Sequence, residues 1–337
     1  MLRELADGKD PRVERRRKAV AGITLSAALE RFLDDRRDLS ATVHYRWPKY
    51  LQTYLGDWLA RPLSELTKDV VTERRDKIIK DVAARAFRRS PAFLSEPGLG
   101  AANQTMTAFK AIRAHVAEEA GLPPMQIPKK RGNTVKRRER CLHSEQMPAF
   151  YSAVMALESR RDKDLILTLL FSGLRFGEAA SLRWDDIDFP QRAIRLPAAR
   201  VKARRRLDLP MTSQLRDILV QRQSIGREGQ FVFPAVPRTT TTGHATDLSH
   251  AFYEIKRTSG TYISPHDLRR TWATVAESCD ISWSALQALL NHAAPSGVTG
   301  GYTVMALSRL QTPAQLVADR IGELCGIVEA AGVTKLG

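Results

Sequence analysis

Between Gly121 and Arg140 the chain loses its apolar pattern. The stretch carries Gly121, Pro123-Pro124 and seven basic residues from Lys129 to Arg140, and nothing in it recurs at helical or strand spacing. Such a segment has no apolar face to bury, so it reads as a strap between two bodies. A length of 337 residues fits two domains. The expected organisation is a basic lead-in over 1–22, a helical domain over 23–121, a basic linker over 122–140 and a second domain over 141–337.

The first body is helical throughout. Leu25, Ala28, Leu29, Phe32 and Leu33 fall at i, i+3, i+4, i+7 and i+8 after Thr24. Val43, Trp47, Tyr50, Leu51, Tyr54, Leu55 and Trp58 form a second stripe. A third helix is predicted at about 68–88. The loop Ser90–Gly100 then leads to a fourth at about 101–120, ended by Gly121 and Pro123-Pro124. The second body is mixed. Helices are predicted at about 144–158, 161–172, 176–183, 212–222, 246–257, 265–278, 282–290 and 306–330. Ala193–Leu196 and Leu207–Leu209 read as short strands on either side of a basic hairpin, Arg200–Arg206. The fold class is therefore mainly α with a small β-sheet or hairpin, and there is no internal repeat.

Charge narrows the partner. Lys and Arg number 53 against 37 Asp and Glu, a net +16. Arg12–Lys18 contributes +4, Lys129–Arg140 +6 and Arg200–Arg206 +5, so three short runs hold nearly the whole excess. That concentration points to a polyanion, either nucleic acid or an anionic membrane surface. The longest strongly apolar run, Leu165–Phe171, is far short of the ~20 residues of a membrane span. The first residues, Met1-Leu2-Arg3-Glu4, hold no apolar signal core. Cys141, Cys279 and Cys325 show no CxxC or Cys/His zinc spacing, so neither a disulfide framework nor structural zinc is expected. The expected setting is the reduced cytoplasm.

Three motifs offer chemistry. Ser172-Gly173-Leu174-Arg175-Phe176-Gly177-Glu178 sets an Arg after an apolar helix, with Glu178 three residues on to orient the guanidinium. Pro265-His266-Asp267-Leu268-Arg269 opens a helix with His266 and Arg269 on one face, a pairing suited to holding a phosphate. Leu289-Leu290-Asn291-His292 ends a helix. Tyr302 follows ten residues later, after a stretch with Pro295, Gly297, Gly300 and Gly301. Each motif alone is weak; an Arg at a helix corner is ordinarily just a solvated side chain.

Their order is specific. Arg175, the basic hairpin, His266-x-x-Arg269, His292 and Tyr302 in succession resemble the catalytic signature of the tyrosine recombinase, or phage integrase, family. Leu182-Arg183-Trp184-Asp185-Asp186-Ile187 also looks like that family. Val201-Lys202-Ala203-Arg204, and Asn291 where many members have Gly, are similar to prophage and genomic-island integrases. The resemblance covers about residues 24–330.

The resemblance implies an all-helical core-binding domain followed by a tyrosine-recombinase catalytic domain. It implies strand cleavage and rejoining through a 3′-phosphotyrosyl link, with no metal, ATP or other cofactor. By matched position Tyr302 is the nucleophile, Arg175 and Arg269 clamp the non-bridging oxygens, and His266 and His292 hydrogen-bond the phosphate. The general acid in such enzymes is usually a hairpin Lys. Arginines hold their protons too tightly for that role, and Lys202 is the sole Lys between Lys163 and Lys256. Lys129, Lys130, Arg131, Lys136, Arg137, Arg138, Arg200, Arg204 and Arg205 are the candidate DNA-gripping residues. Further expectations are double-stranded DNA carrying core attachment sites as partner, a homotetramer on DNA assembled through the segment after Tyr302, and an excisionase or host architectural protein as an accessory. No membrane partner is expected. Residues 1–22 resemble only the end of an arm-binding region, which leaves open whether such a domain has been removed or is lacking.

Three other outcomes compete with integration or excision of a mobile element. Chromosome-dimer resolution or transposition would use the same chemistry. A non-catalytic DNA-binding regulator would not need the complete set of site residues. A metal-dependent nuclease would need a carboxylate cluster that the sequence lacks.

Overall fold

The computed structural model describes residues 22–89, 98–126, 140–226, 229–236, 242–291 and 306–327. The lead-in 1–21, most of the linker including Lys129–Arg138, and the segment with His292 and Tyr302 lie outside these residues. The chain divides between Arg137 and Arg138 into two compact units.

Among the described residues the first unit holds four α-helices: α1 (Leu25–Asp35), α2 (Ala41–Leu55), α3 (Lys68–Arg89) and α4 (Leu99–Val116). Thr24 caps α1, its hydroxyl accepting from the Ala27 N–H at 3.3 Å. The second stripe does run to Trp58, but the α-helix stops at Leu55 and a 3₁₀ turn carries Gly56–Trp58. Helix α4 packs on α1, α2 and α3 and buries Ala102, Met106, Phe109, Ile112 and Val116. It starts at Leu99 and ends at Val116, earlier at both ends than its predicted span of about 101–120. Gly98, at φ 99°, sits against the backbone of Ile79 in α3, where any Cβ would collide. Each buried Leu or Phe here contributes roughly 1.5–3 kcal/mol.

The second unit runs α5 (Met147–Met155), α6 (Arg160–Ser172), α7 (Phe176–Ala180), β1 (Ile187–Asp188), β2 (Ala193–Leu196), β3 (Leu207–Pro210), α8 (Ser213–Ser224), α9 (Ser249–Ser259), α10 (Pro265–Glu277), α11 (Trp283–Leu289) and α12 (Leu307–Leu324). Helix α6 is its axis. Every residue from Asp164 to Ser172 is buried, and α8, α10 and α12 all pack on it. The expected hairpin is present as antiparallel β2–β3, with Ala193 opposite Pro210 and Leu196 opposite Leu207. A third antiparallel strand, β1, joins it through Ile187↔Ile194.

Several boundaries in this unit differ from the sequence expectation. The helix expected from 144 begins as a 3₁₀ turn, and its α part ends at Met155. Helix α7 stops at Ala180 rather than 183. The chain there turns to bond Phe231's neighbourhood instead: Val232 N–H donates to Leu182 O at 2.9 Å, and Trp184 N–H to Gln230 O at 3.0 Å. Helix α12 ends at Leu324, with Gly326 at φ 74° beyond it. Part of the apolar face of α12 is covered within its own unit, although Leu316 is 49% exposed. Leu310, Val317 and Ile321 are buried in the core, and α12 lies on β3, α6, α10 and α11. No helix among the described residues is long and apolar enough to cross a membrane.

Candidate phosphate-binding site

The site begins where α6 ends. Ser172 Oγ donates to Thr168 O at 2.5 Å and accepts from Leu174 N–H at 3.1 Å, which bends the chain out of the helix. Gly173 caps the turn at φ 63°. A Cβ there would stand 2.7 Å from the Trp272 ring, whose Nε1–H donates to Phe171 O at 3.3 Å. This close approach, with the left-handed backbone, requires glycine. The chain then delivers Arg175 as the N-cap of α7. Glu178, buried in the first turn, accepts from the Arg175 N–H through Oε2 and from Nη1 through Oε1, both at 3.1 Å. One carboxylate therefore fixes both the backbone and the guanidinium of Arg175.

The second arginine comes from α10. Pro265 occupies its first turn, and Asp267 closes a capping box, accepting from Ser264 N–H at 2.9 Å and Ser264 Oγ at 2.8 Å. The Asp267 carboxylate is buried, with Arg270 Nη1 at 3.5 Å and Arg140 Nε at 3.9 Å. Arg269 is only 6% exposed. Its Nη1 donates to Gly173 O and its Nη2 to Leu290 O, each at 2.6 Å. Burial pushes the Arg269 guanidinium down to about 10, the charge of Arg175 pushes the same way, and Glu178 opposes them. At neutral pH it remains a cation.

Arg269 is thus a staple between distant motifs. One end holds the carbonyl two residues before Arg175, and the other holds the carbonyl two residues before His292. Leu290 is buried, and Asn291 is buried at φ 45°, the conformation that Asn tolerates next best to Gly. His266 stands exposed on the first turn of α10. Lys202 stands exposed in the turn between β2 and β3, as do Arg204 and Arg205. Arg200 differs from them. Its Nη1 donates to Asp186 Oδ2 at 2.7 Å and to Ser181 O at 3.2 Å, and its Nη2 bonds Asp186 Oδ1. His292, Tyr302 and the linker residues Lys129, Lys130, Arg131, Lys136, Arg137 and Arg138 lie outside the described residues.

Sequence reasoning did not single out Ser172, Gly173 and Trp272 for their part in shaping the site, nor Asp186 and Asp267. Asp186 lay within a stretch resembling the family, and Asp267 stood at the third position of a helix after Ser264, which is a capping-box signal. The contacts of Trp272 with Gly173 leave no trace in spacing. Among the described residues no three His, Cys, Asp or Glu side chains are grouped so as to hold a metal ion. Two guanidiniums with an imidazole on the same helix suit a tetrahedral oxyanion.

The phage integrase family model matches residues 140–308. Prophage integrase IntF of Escherichia coli (strain K12) is 28% identical over 246 residues, which cover 71% of this chain and 49% of that protein. Tyrosine recombinase XerA of Thermococcus kodakarensis is 27% identical over 173 residues, 49% of this chain and 59% of that one. The chain thus spans about half the length of the curated relatives it matches. In fold, a lambda integrase dimer bound to a COC′ core site matches at a TM-score of 0.61 and 15% identity, over 90% of this chain and 81% of that one. With half of its residues matched by the family model and its arginines stapled as described, the chain belongs to the phage integrase family.

Proposed function

We propose that this protein is a site-specific DNA recombinase that integrates or excises a mobile element through a 3′-phosphotyrosyl intermediate. The observation that carries the proposal is the Arg269 staple, which puts a buried, charged guanidinium beside the Glu178-oriented Arg175. In the proposed reaction Tyr302 Oη attacks the scissile phosphorus and the P–O5′ bond breaks. The phenolic proton passes to His266, and the electron pair leaves on O5′, which takes a proton from the Lys202 ammonium. Arg175 and Arg269 hold the non-bridging oxygens, where charge builds in the pentacoordinate transition state, with His292 as a further donor. A 5′-hydroxyl of the partner strand then reverses the steps and rejoins the DNA.

In this proposal no metal, ATP or other cofactor takes part. Double-stranded DNA carrying core sites is the substrate. Lys129, Lys130, Arg131, Lys136, Arg137, Arg138, Arg204 and Arg205 grip its phosphates, so affinity falls steeply with salt. The active assembly is a homotetramer on two sites, assisted by an excisionase or a host architectural protein. Exchange of the C-terminal segment after Tyr302 links the subunits. The 23–121 domain binds the core site and 141–337 cuts it. The protein works in the cytoplasm at the nucleoid.

The test is covalent capture on a nicked suicide duplex in EDTA. The expected result is a protein–DNA adduct that disappears in Tyr302→Phe. An adduct surviving that substitution would overturn the nucleophile assignment. Binding without any adduct would favour a DNA-binding regulator.

A further inference from the structure

We infer that Asp186 and Arg200 are positioning residues for Lys202, fixing the root of the turn that presents its ammonium to the leaving oxygen. The inference rests on the reaction proposed above. Arg200 sits in the basic run, yet its guanidinium is turned inward. Asp186 is 5% exposed and takes it through both carboxylate oxygens, while also accepting from the Arg183 N–H at 2.8 Å. The pairing is bidentate and largely shielded, the kind that fixes geometry. It also neutralises one charge of the run, so Arg200 is poorly placed to hold a phosphate.

The clamp reaches the catalytic lysine in two residues. Arg200 N–H donates to Pro197 O at 3.0 Å, and Val201, 3% exposed, donates to Ala198 O at 3.3 Å. The turn Val201-Lys202-Ala203-Arg204 is closed by Arg204 N–H on Val201 O at 2.8 Å. On its far side the turn runs into β3, where Arg206 pairs with Asp208 at 2.9 Å, while the near root is held by the bidentate bond of Arg200 to Asp186. Arg200 also bonds Ser181 O, the carbonyl at the C-terminus of α7. Arg175 caps the other end of that five-residue helix. The turn bearing Lys202 is thus referenced to the same short helix that holds an oxyanion-clamping arginine. A lysine side chain is long and flexible, so its placement depends on its backbone, and small misplacement of a proton donor is costly.

The test uses the full chain and a nicked duplex selected by covalent capture from a randomised pool. It is made twice, with oxygen and with sulfur at the bridging 5′ position. A thiolate leaves without a proton, so loss of the general acid slows only the oxygen substrate. Lys202→Ala sets the reference: it should be slow on oxygen and restored on sulfur. Asp186→Asn and Arg200→Gln should be about tenfold or more slower on oxygen, within about twofold of wild type on sulfur, and unchanged in duplex affinity. Arg200→Lys should fall between wild type and Arg200→Gln. Equal slowing on both substrates, no slowing, or weakened binding would overturn the inference. If Asp186→Asn fails to fold, judged by thermal melting, Arg200→Gln decides alone. Failure of sulfur to restore Lys202→Ala would instead overturn the general-acid role of Lys202.

Discussion

Arg269 and the β2–β3 turn hold their cations in opposite ways. Arg269 is buried, bonded at both terminal nitrogens to backbone carbonyls, and surrounded by the packing of α6 on α10. Lys202 and Arg204 are exposed on a turn of four residues, and Arg205 is exposed directly after it. The first arrangement makes the position of a charge a property of the core. The second makes it a property of a local backbone, adjustable without disturbing the fold. A substitution at the buried cation should therefore change stability and chemistry together, whereas one at the turn should change binding or chemistry alone.

The sharpest way to break this contrast is Arg269→Ala. It should cut adduct formation by about 10²–10³-fold or more. It also leaves the Gly173 and Leu290 carbonyls unpartnered, at about 1–3 kcal/mol each, so melting should fall with activity. Cleavage kinetics and thermal denaturation on the same preparation check both; lost activity with an unchanged melt would break the comparison. Next in size is Gly173→Ala. The left-handed backbone and the Trp272 ring should make it cost about 2–4 kcal/mol, a fall of several degrees in Tm, with slower cleavage as Arg175 and Arg269 shift. The smallest effect belongs to the turn. Arg204→Ala and Arg205→Ala should leave the melt unchanged and lower the slope of log affinity against log salt by about one each. A salt titration of duplex binding measures this, and an unchanged slope would remove them from the DNA grip.

What could be read in the sequence follows the same division. The helices that bury one continuous stripe were legible, because the 3.6-residue period of Leu25–Leu33 or of the α4 face is local. The hairpin was legible because strand-like segments flank a charge run. Strand β1 was not, since two residues carry no period and exist only by pairing with β2. At the site, residue types and order marked Arg175, Lys202, His266 and Arg269. Their supports were hidden: Gly173 O and Leu290 O lie 96 and 21 residues from Arg269. Arg200 shows the converse, since its place in a basic run pointed outward while its partner Asp186 lies fourteen residues back.

The single carboxylate of Glu178 between two guanidiniums has a consequence in charge stoichiometry. Arg175, Arg269 and Glu178 together carry one net positive charge, which balances the one negative charge of a resting phosphodiester. In the proposed reaction the pentacoordinate state carries a second. That second charge falls on the non-bridging oxygens held by Arg175 and Arg269, so one net charge suffices for the resting diester and the two guanidiniums meet the excess as it forms. Discrimination in favour of the transition state then comes from these guanidiniums together with the proton transfers proposed for Lys202 and His266.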